Sequence, residues 1–597
     1  MGNWTSKVVS GNPAVFATPF VPGPSNIVSE HDRQTWNSYD YVVVGGGTAG
    51  CILAARLSED PNTTVLLLEA GKSHEGNFFA RIPLLFASLV DSEADWAYRT
   101  TPQRHLDGSI VSWPRGKVLG GSSTINAMIA QRCDPDDYNA WAKNGATGWG
   151  YDDLKQYFDK VEARTLPLKK NTPTAPVSSP LLEAAQKLGL PLTDHFDPAT
   201  RFLGAGQFAA FVDAKSERSS TATAYLTAEV LGRPNLTVAI STFTERVLFS
   251  TVADETPRAV GVQVSTGRDQ PKFAVSAKLE VLLSAGAVAT PQLLLLSGVG
   301  PAPHLNVLQI PVVRDLHHVG RNVYDHLCAG SVLVRAKPGY TWDDYLKKPL
   351  QTAYALGQWM TWGTGPLGSL CAQVALFIRS DDQSLPYGPP LPTKDRTSGP
   401  RAPDIEIAVF PISALSRGKG LAPPGNYGIC IAPIVLRPVS SGTIELQSAS
   451  VYDSPLVDPN YLADESDVNV LLKATRFSLN LARTEPLASA LDLRNLTEPP
   501  TDLGDYWPGD ADPSKVTDEQ LKTFIKGNCA SSFHPTSSAR MGTDAATSVV
   551  DLQLRVHGVR GLRVVDASIF PDIVSGHPVL AVIAVAEKAA DLIRHAA

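Results

Sequence analysis

From Tyr39 the chain becomes a β-branched apolar run, Tyr41-Val42-Val43-Val44, that ends in glycines, the pattern of a buried parallel strand. Small and apolar residues then recur at helical spacing from Gly50 to Ser58 until Glu59-Asp60-Pro61 stops them. Val65-Leu66-Leu67-Leu68 follows as a second strand, so the pattern predicts a βαβ unit. Further strands are expected at Leu236 to Ile240, Glu280 to Ser284 and Leu562 to Val565, the last two each followed by a helical segment. Strands that belong with the first unit thus come from the middle and the end of the chain. The longest apolar stretch, Val281 to Leu296, is broken by Gly286 and Pro291 and reads as a buried strand and a helix, not a membrane span. Residues 1–35 lack periodicity and read as an N-terminal arm, and the Pro- and Gly-rich stretches 164–180 and 380–404 as loops. Between 425 and 448, GICIAPIVL and TIELQS alternate like antiparallel strands and predict a second sheet.

Composition narrows the partners. With 43% apolar and 19% charged residues in 597, the chain is globular and not disordered. A net charge of −7 has the wrong sign for phosphate-backbone binding, so nucleic acid is excluded as the expected partner. The first residues contain no apolar run of the ~7–15 residues that a secretory signal needs, which points to a cytoplasmic or other intracellular location unless the sequence is a processed form. Met1-Gly2 with Ser6 matches a myristoylation pattern, a short one that commonly arises by accident. The six cysteines are spread without a metal or disulfide spacing, and Cys51 is expected to pack in the core. Sequons at Asn3, Asn62, Asn235 and Asn495 matter only to a secreted chain.

Gly45-Gly46-Gly47-Thr48-Ala49-Gly50 satisfies G-x-G-x-x-G directly after a strand and at the opening of a helix. Gly45 permits the tight turn, Gly47 lets a pyrophosphate approach the helix N-terminus, and Gly50 lets helix and strand pack closely. Glu69 ends the next strand, where its carboxylate can accept both ribose hydroxyls of an adenosine and repel a 2′-phosphate. Ala70 follows it. This fingerprint does not separate NAD from FAD.

Gly116-Lys117-Val118-Leu119-Gly120-Gly121-Ser122-Ser123-Thr124-Ile125-Asn126 and the segment Gly286 to Gly300 resemble the two signatures of the glucose-methanol-choline (GMC) flavoprotein oxidoreductases. Val319 to His326 and the segment from Phe533 to Ile593 extend the resemblance over nearly the whole chain, to choline dehydrogenase-like and aryl-alcohol oxidase-like members. The resemblance implies FAD, with Gly120, Ser122 and Asn126 along the flavin and pyrophosphate, Val247 against the adenine, and Asp566 and Ala567 touching the cofactor. Some family members attach the flavin through a histidine before the asparagine of the first signature; Ile125 stands there, so the FAD is expected to be non-covalent. The implied fold class is α/β, or α+β overall. A Rossmann-like FAD-binding domain comes from the discontinuous segments 36–155, 230–330 and 530–597, and a substrate-binding domain from 156–229 and 331–529, built on an antiparallel sheet with helices.

His534, in Phe533-His534-Pro535, and His577, in Gly576-His577-Pro578-Val579, correspond to the paired active-site positions of the family. Alcohol oxidation removes a hydroxyl proton and moves a hydride to flavin N5, and a neutral imidazole suits the proton. His534 is read as the base and His577 as the group that positions the substrate oxygen. Pro578 and Val579 open a helix whose positive end would face the flavin. Phe533, Trp113 and Leu106 are the candidate pocket residues; by the resemblance Phe533 and Trp113 point to an aromatic or unsaturated primary alcohol, whereas Leu106 departs from the pattern of aryl-alcohol oxidases, which carry a tyrosine there. Electrons then pass to O2, giving H2O2, or to a quinone-type acceptor. The alternatives on the same fold are a hydroxynitrile lyase and a light-driven photodecarboxylase.

Overall fold

In the computed structural model, Val42 of the strand Ser38–Val44 lies beside Leu66 of the strand Val65–Leu68 in a parallel ladder, and every residue from Tyr41 to Val44 and from Val65 to Leu68 is buried. The structure describes residues 8–595 apart from 24, 167, 197–200, 251–255, 416–419, 495 and 497–504. The myristoylation-like start and the sequons at Asn3 and Asn495 lie outside the described residues.

Among the described residues the first sheet has nine strands. Its main path uses β1 (Val8–Ser10), β2 (Ser38–Val44), β3 (Val65–Leu68), β4 (Leu236–Ile240), β5 (Phe243–Ser250), β6 (Arg258–Ser265) and β7 (Phe273–Leu283) in the order β1-β4-β3-β2-β7-β6-β5. Helix α1 (Thr48–Leu57) joins β2 to β3, and helix α2 (Gly286–Leu296) follows β7. The apolar stretch beginning at Val281 is therefore a strand and then a helix; Gly286, at φ +86°, stands at the junction, and Pro291 lies inside the helix. Long β7 serves two partners. Its first half pairs antiparallel with β6, and its second half pairs parallel with both β2 and Leu562–Val564. This is how the end of the chain returns to the first βαβ unit. The arm is not outside the fold: β1 extends the sheet beside β4, and Thr18–Pro19 pairs with β7.

Among the described residues the second sheet has eight strands and centres on β8 (Ile405–Phe410) and β9 (Gly428–Val435). The alternation expected for β9 is absent because all eight of its residues are buried. One face packs Ile429 and Ile431 into the cluster that holds Leu471 and Leu472 of helix α3 (Glu465–Ala482). The other face presents Cys430, Ala432 and Ile434 to a cavity. Leu327–Cys328 and Ala530–Ser531 pair in this second sheet. Helix α4 (Val579–Arg594) ends the chain and packs its apolar side with α1 in the main core.

Asn235 is unsuited to glycosylation, because its amide donates to the carbonyls of Ser58, Asp60 and Thr63 at 2.8–3.1 Å. Cys51 is a buried packing residue whose thiol touches Gly46 O at 3.2 Å, and burial pushes its pKa up to about 12. Among the described residues no helix is long and apolar enough to cross a membrane.

Candidate active site

A cavity of about 740 Å3 lies between the two sheets, within the size range of cofactor and ligand sites. Its first wall is the carboxyl edge of the parallel strands, where Val44, Leu68, Ser284 and Asp566 converge. Open α/β sheets place ligands at this edge. Its second wall is the inner face of β8 and β9.

The glycine loop makes the tight turn and the close helix–strand packing that its spacing predicts. A Cβ on Gly50 would lie 1.9 Å from Gly45 O, so only glycine allows α1 to start against β2. Gly45 takes φ +99°, a left-handed turn that disfavours side chains. Gly45, Gly47, Thr48 and Ala49 line the cavity. The N-terminus of α1 has no side-chain cap, so its first N–H groups are available to an anion. Gly120 ties the two glycine loops together and is not a lining residue: its N–H donates to Gly46 O at 2.7 Å, and Gly121 faces the cavity instead.

Glu69 and Ala70 line the same end. The Glu69 carboxylate accepts the N–H groups of Gly46 (2.8 Å) and Gly71 (2.7 Å), which orients it, and burial raises its pKa to about 7. Val247 does not reach the cavity. It is fully buried in β5 with its N–H on Ser297 Oγ at 2.8 Å, and the strand meets the cavity only at its start, through Phe243 and Thr244. Ser122, Ile125 and Asn126 also line the cavity; Asn126 Oδ1 accepts from buried Arg218 at 2.9 Å. Asp566 caps α2, accepting from Gly286 N (2.8 Å) and Thr290 Oγ1 (2.6 Å), while it and Ala567 also border the cavity.

These walls fit FAD. The glycine loops and the uncapped helix start suit a pyrophosphate, Glu69 suits a ribose diol, and Ser284 Oγ, buried without a partner among the described residues, lies at the same edge. At the far end, Pro578 and Val579 begin α4, and this helix start also lacks a side-chain cap and faces the cavity.

His534 and His577 meet there, with ring centroids 4.8 Å apart and planes at 85°. Both line the cavity. Burial, then the neighbouring His577, His326 and Arg115, hold the His534 pKa well below the usual imidazole range, so the ring is neutral. Its main chain is pinned by Asp325 Oδ1, which accepts the His534 N–H at 2.8 Å. His577 is held from two sides: Gln131 Oε1 accepts its backbone N–H, and Glu406 Oε1 accepts Nε2–H, both at 3.0 Å. Glu406 is completely buried on β8.

Phe533 lines the cavity at φ +66°, a left-handed conformation held by Arg115 donating to its carbonyl at 2.5 Å. Trp113 and Leu106 do not line the cavity. Trp113 is buried behind the site and donates to Tyr461 Oη at 2.8 Å, and Tyr461 in turn donates to Asp325. Leu106 is buried in the second core. Sequence reasoning missed Glu406, whose signal is an acid inside the apolar run Ile405-Glu406-Ile407, and the pair Asp325-His326. Among the described residues no cluster of three metal-ligating side chains occurs.

Family models described as GMC oxidoreductase match residues 39–328 and 438–586. Over 96% of its length the chain is 43% identical to a relative named Dehydrogenase str4 of Strobilurus tenacellus, covering 97% of that protein. It is 35% identical to mitochondrial choline dehydrogenase of Mus musculus, over 94% of this chain and 90% of that one. A formate oxidase variant of Aspergillus oryzae RIB40 superposes with a TM-score of 0.83 at 26% identity, covering 94% of this chain and 98% of that one. Read with the glycine loop, the Glu69 edge and the paired histidines, these matches establish that the chain belongs to the GMC oxidoreductase family.

Proposed function

We propose that the chain oxidises a primary alcohol with a neutral, apolar substituent to the aldehyde, using non-covalently bound FAD and His534 as general base. The observation that carries this reading is the perpendicular pair His534 and His577 on the wall of a cavity whose other end is built for a dinucleotide.

When bound, FAD supplies the acceptor for the hydride that leaves the carbinol carbon. Neutral His534 takes the hydroxyl proton. His577, oriented by Glu406, holds the substrate oxygen so that one carbon–hydrogen bond has a fixed direction. The start of α4 contributes a positive dipole end where negative charge accumulates. Cys371, Ala408, Phe410, Ala432 and Ile434 line the substrate side with Phe533. That wall suits an aryl or unsaturated chain better than a sugar, which needs several convergent polar groups. A nucleophile for flavin attachment is missing at Ile125, in keeping with a dissociable cofactor.

Anaerobic bleaching of the bound flavin by a panel of benzylic, allylic, aliphatic and sugar alcohols tests the reading. Benzylic or allylic alcohols are expected to bleach it. Failure of every alcohol, together with cyanide release from mandelonitrile, would replace this reading with a lyase. Reoxidation in air compared with a quinone then identifies the electron acceptor.

A further inference from the structure

The segment Val319 to His326 carries the family resemblance, yet the reaction above gives its last residue no task. His326 is completely buried, and both of its ring nitrogens are engaged. Nε2 lies 3.0 Å from the carbonyl oxygen of Val574, and Nδ1 lies 2.9 Å from Nδ1 of His534. The two rings are nearly perpendicular, at 87°.

A carbonyl oxygen only accepts, so the His326 proton sits on Nε2. Burial, followed by the neighbouring His577 and Arg437, pushes the His326 pKa down to about 3, which keeps the ring neutral and its Nδ1 bare. Two bare nitrogens at 2.9 Å would repel each other in a dry interior. His534 must therefore carry its proton on Nδ1 and donate it to His326. A neutral imidazole has one N–H, so Nε2 of His534 keeps its lone pair for the cavity that the ring lines.

We propose that His326 is a positioning residue that sets the tautomer of His534, through a chain running from the Val574 carbonyl to His326 to His534 and ending in a basic nitrogen that faces the substrate. This rests on the reading of His534 as the base. When the substrate hydroxyl gives its proton to Nε2, its O–H bond breaks, an N–H bond forms, and His534 becomes an imidazolium that still donates through Nδ1. His326 retains its own proton, because the Val574 carbonyl offers no site for it. The chain orients the base without conducting the proton. A residue behind a catalytic histidine has the same task in hydrolase triads, where the wrong tautomer is costly. Asp325 complements it, since one residue holds the main chain of His534 and the next holds its ring.

The test uses holoenzyme labelled with ring-15N histidine. Long-range proton–nitrogen correlation spectra, with the His534 signals assigned by their loss in His534→Ala, are expected to show an Nδ1–H tautomer. An Nε2–H tautomer in the unmodified chain would overturn the proposal, and this measurement needs no change at His326. In His326→Leu, His534 should shift toward Nε2–H, and flavin reduction should slow by at least ~10²-fold with FAD content unchanged. His326→Asn, which returns an acceptor oxygen toward His534, should recover most of that loss. An unchanged tautomer or an unchanged rate in His326→Leu would also overturn the proposal. If no alcohol reduces the flavin of the unmodified chain, the alcohol reading fails while the spectra still decide the role of His326.

Discussion

Asp325 and His534 are joined through the main chain, the carboxylate oxygen Oδ1 accepting the backbone N–H at 2.8 Å. The other oxygen takes the hydroxyls of Ser531 (2.6 Å) and Tyr461. Asp325 is almost fully buried, and Phe533, just before His534, sits in a left-handed conformation that needs such support. Asp325→Ala leaves three donors without their acceptor, those of Ser531 and Tyr461 buried, and is expected to cost about 1–3 kcal/mol of stability for each that stays unsatisfied. Denaturant unfolding measures this, and a change below ~1 kcal/mol would mean that the loop holds itself.

His534→Ala should lower the rate of anaerobic flavin reduction by about 10²–10⁴-fold while the FAD content stays the same. The pH profile gives a second check. Because burial and the nearby His577, His326 and Arg115 depress its pKa, His534 stays neutral below the ordinary imidazole value of about 6.5. The acid limb of kcat/KM should therefore lie below about pH 6.5, and a limb at or above that value would contradict a desolvated base.

His326 makes a related prediction for stability. Its folded pKa of about 3 lies below the unfolded value, so the unfolded chain binds the extra proton as acid is added. Its contribution is complete above about pH 6.5 and declines as the pH falls toward 3. The stability gap between the unmodified chain and His326→Asn should narrow across that window. A gap that stays constant with pH would show that His326 titrates normally in the fold.

Glu406 is a completely buried carboxylate whose Oε1 accepts Nε2–H of His577. Glu406→Gln keeps the shape and removes the charge. A hydrogen bond to a charged group is worth about 1.5–3 kcal/mol, so kcat should fall by roughly 10–10²-fold. The KM for the best alcohol should change less than kcat, since FAD and the apolar wall remain. An equal rise in KM with kcat intact would assign Glu406 to substrate binding.

What was legible in the sequence was what a short contiguous stretch specifies. The turn at Gly45 and the close packing at Gly50 are made by residues within one motif, so their spacing reveals them. His534 and His577 were legible because each stands in a local signature beside a proline. Glu406 was not, since it reaches His577 only after the second sheet folds onto the first and 171 residues separate the two. Leu106 and Trp113 failed for the same reason, their side chains turning into the second core behind the cavity. The N-terminal arm hid its strands because β1 has three residues, too few to show a period, and is recruited by β4. In β9 the expected alternation vanished because α3 covers the face that would otherwise meet water.

The apolar wall predicts selectivity. Phe533 is the aromatic residue next to His534 on that wall. Phe533→Ala should raise KM for benzylic alcohols by about 3–10-fold, in line with ~0.5–1.5 kcal/mol for a lost aromatic pair. It should affect short aliphatic alcohols less. Equal losses on both classes would mean that Phe533 supports the backbone of His534 and does not sort substrates.

The state of the cofactor can be read without turnover. Covalent flavin attachment needs a nucleophilic side chain, and Ile125, which lines the cavity, has none. The cavity thiols Cys328, Cys371 and Cys430 are each pushed up to about 12 by burial, so they remain unreactive near neutral pH. Acid precipitation of the holoenzyme should therefore release the yellow colour as free FAD, and the protein pellet should be colourless. Flavin that stays with the peptide would show that another lining residue forms the bond, and peptide mapping of the pellet would identify it. Glu69→Ala gives the affinity counterpart. Its carboxylate is already held by Gly46 and Gly71, so removing it should weaken FAD binding by roughly 10-fold or more, as for a lost hydrogen bond to a charged group. An unchanged dissociation constant would place the ribose elsewhere.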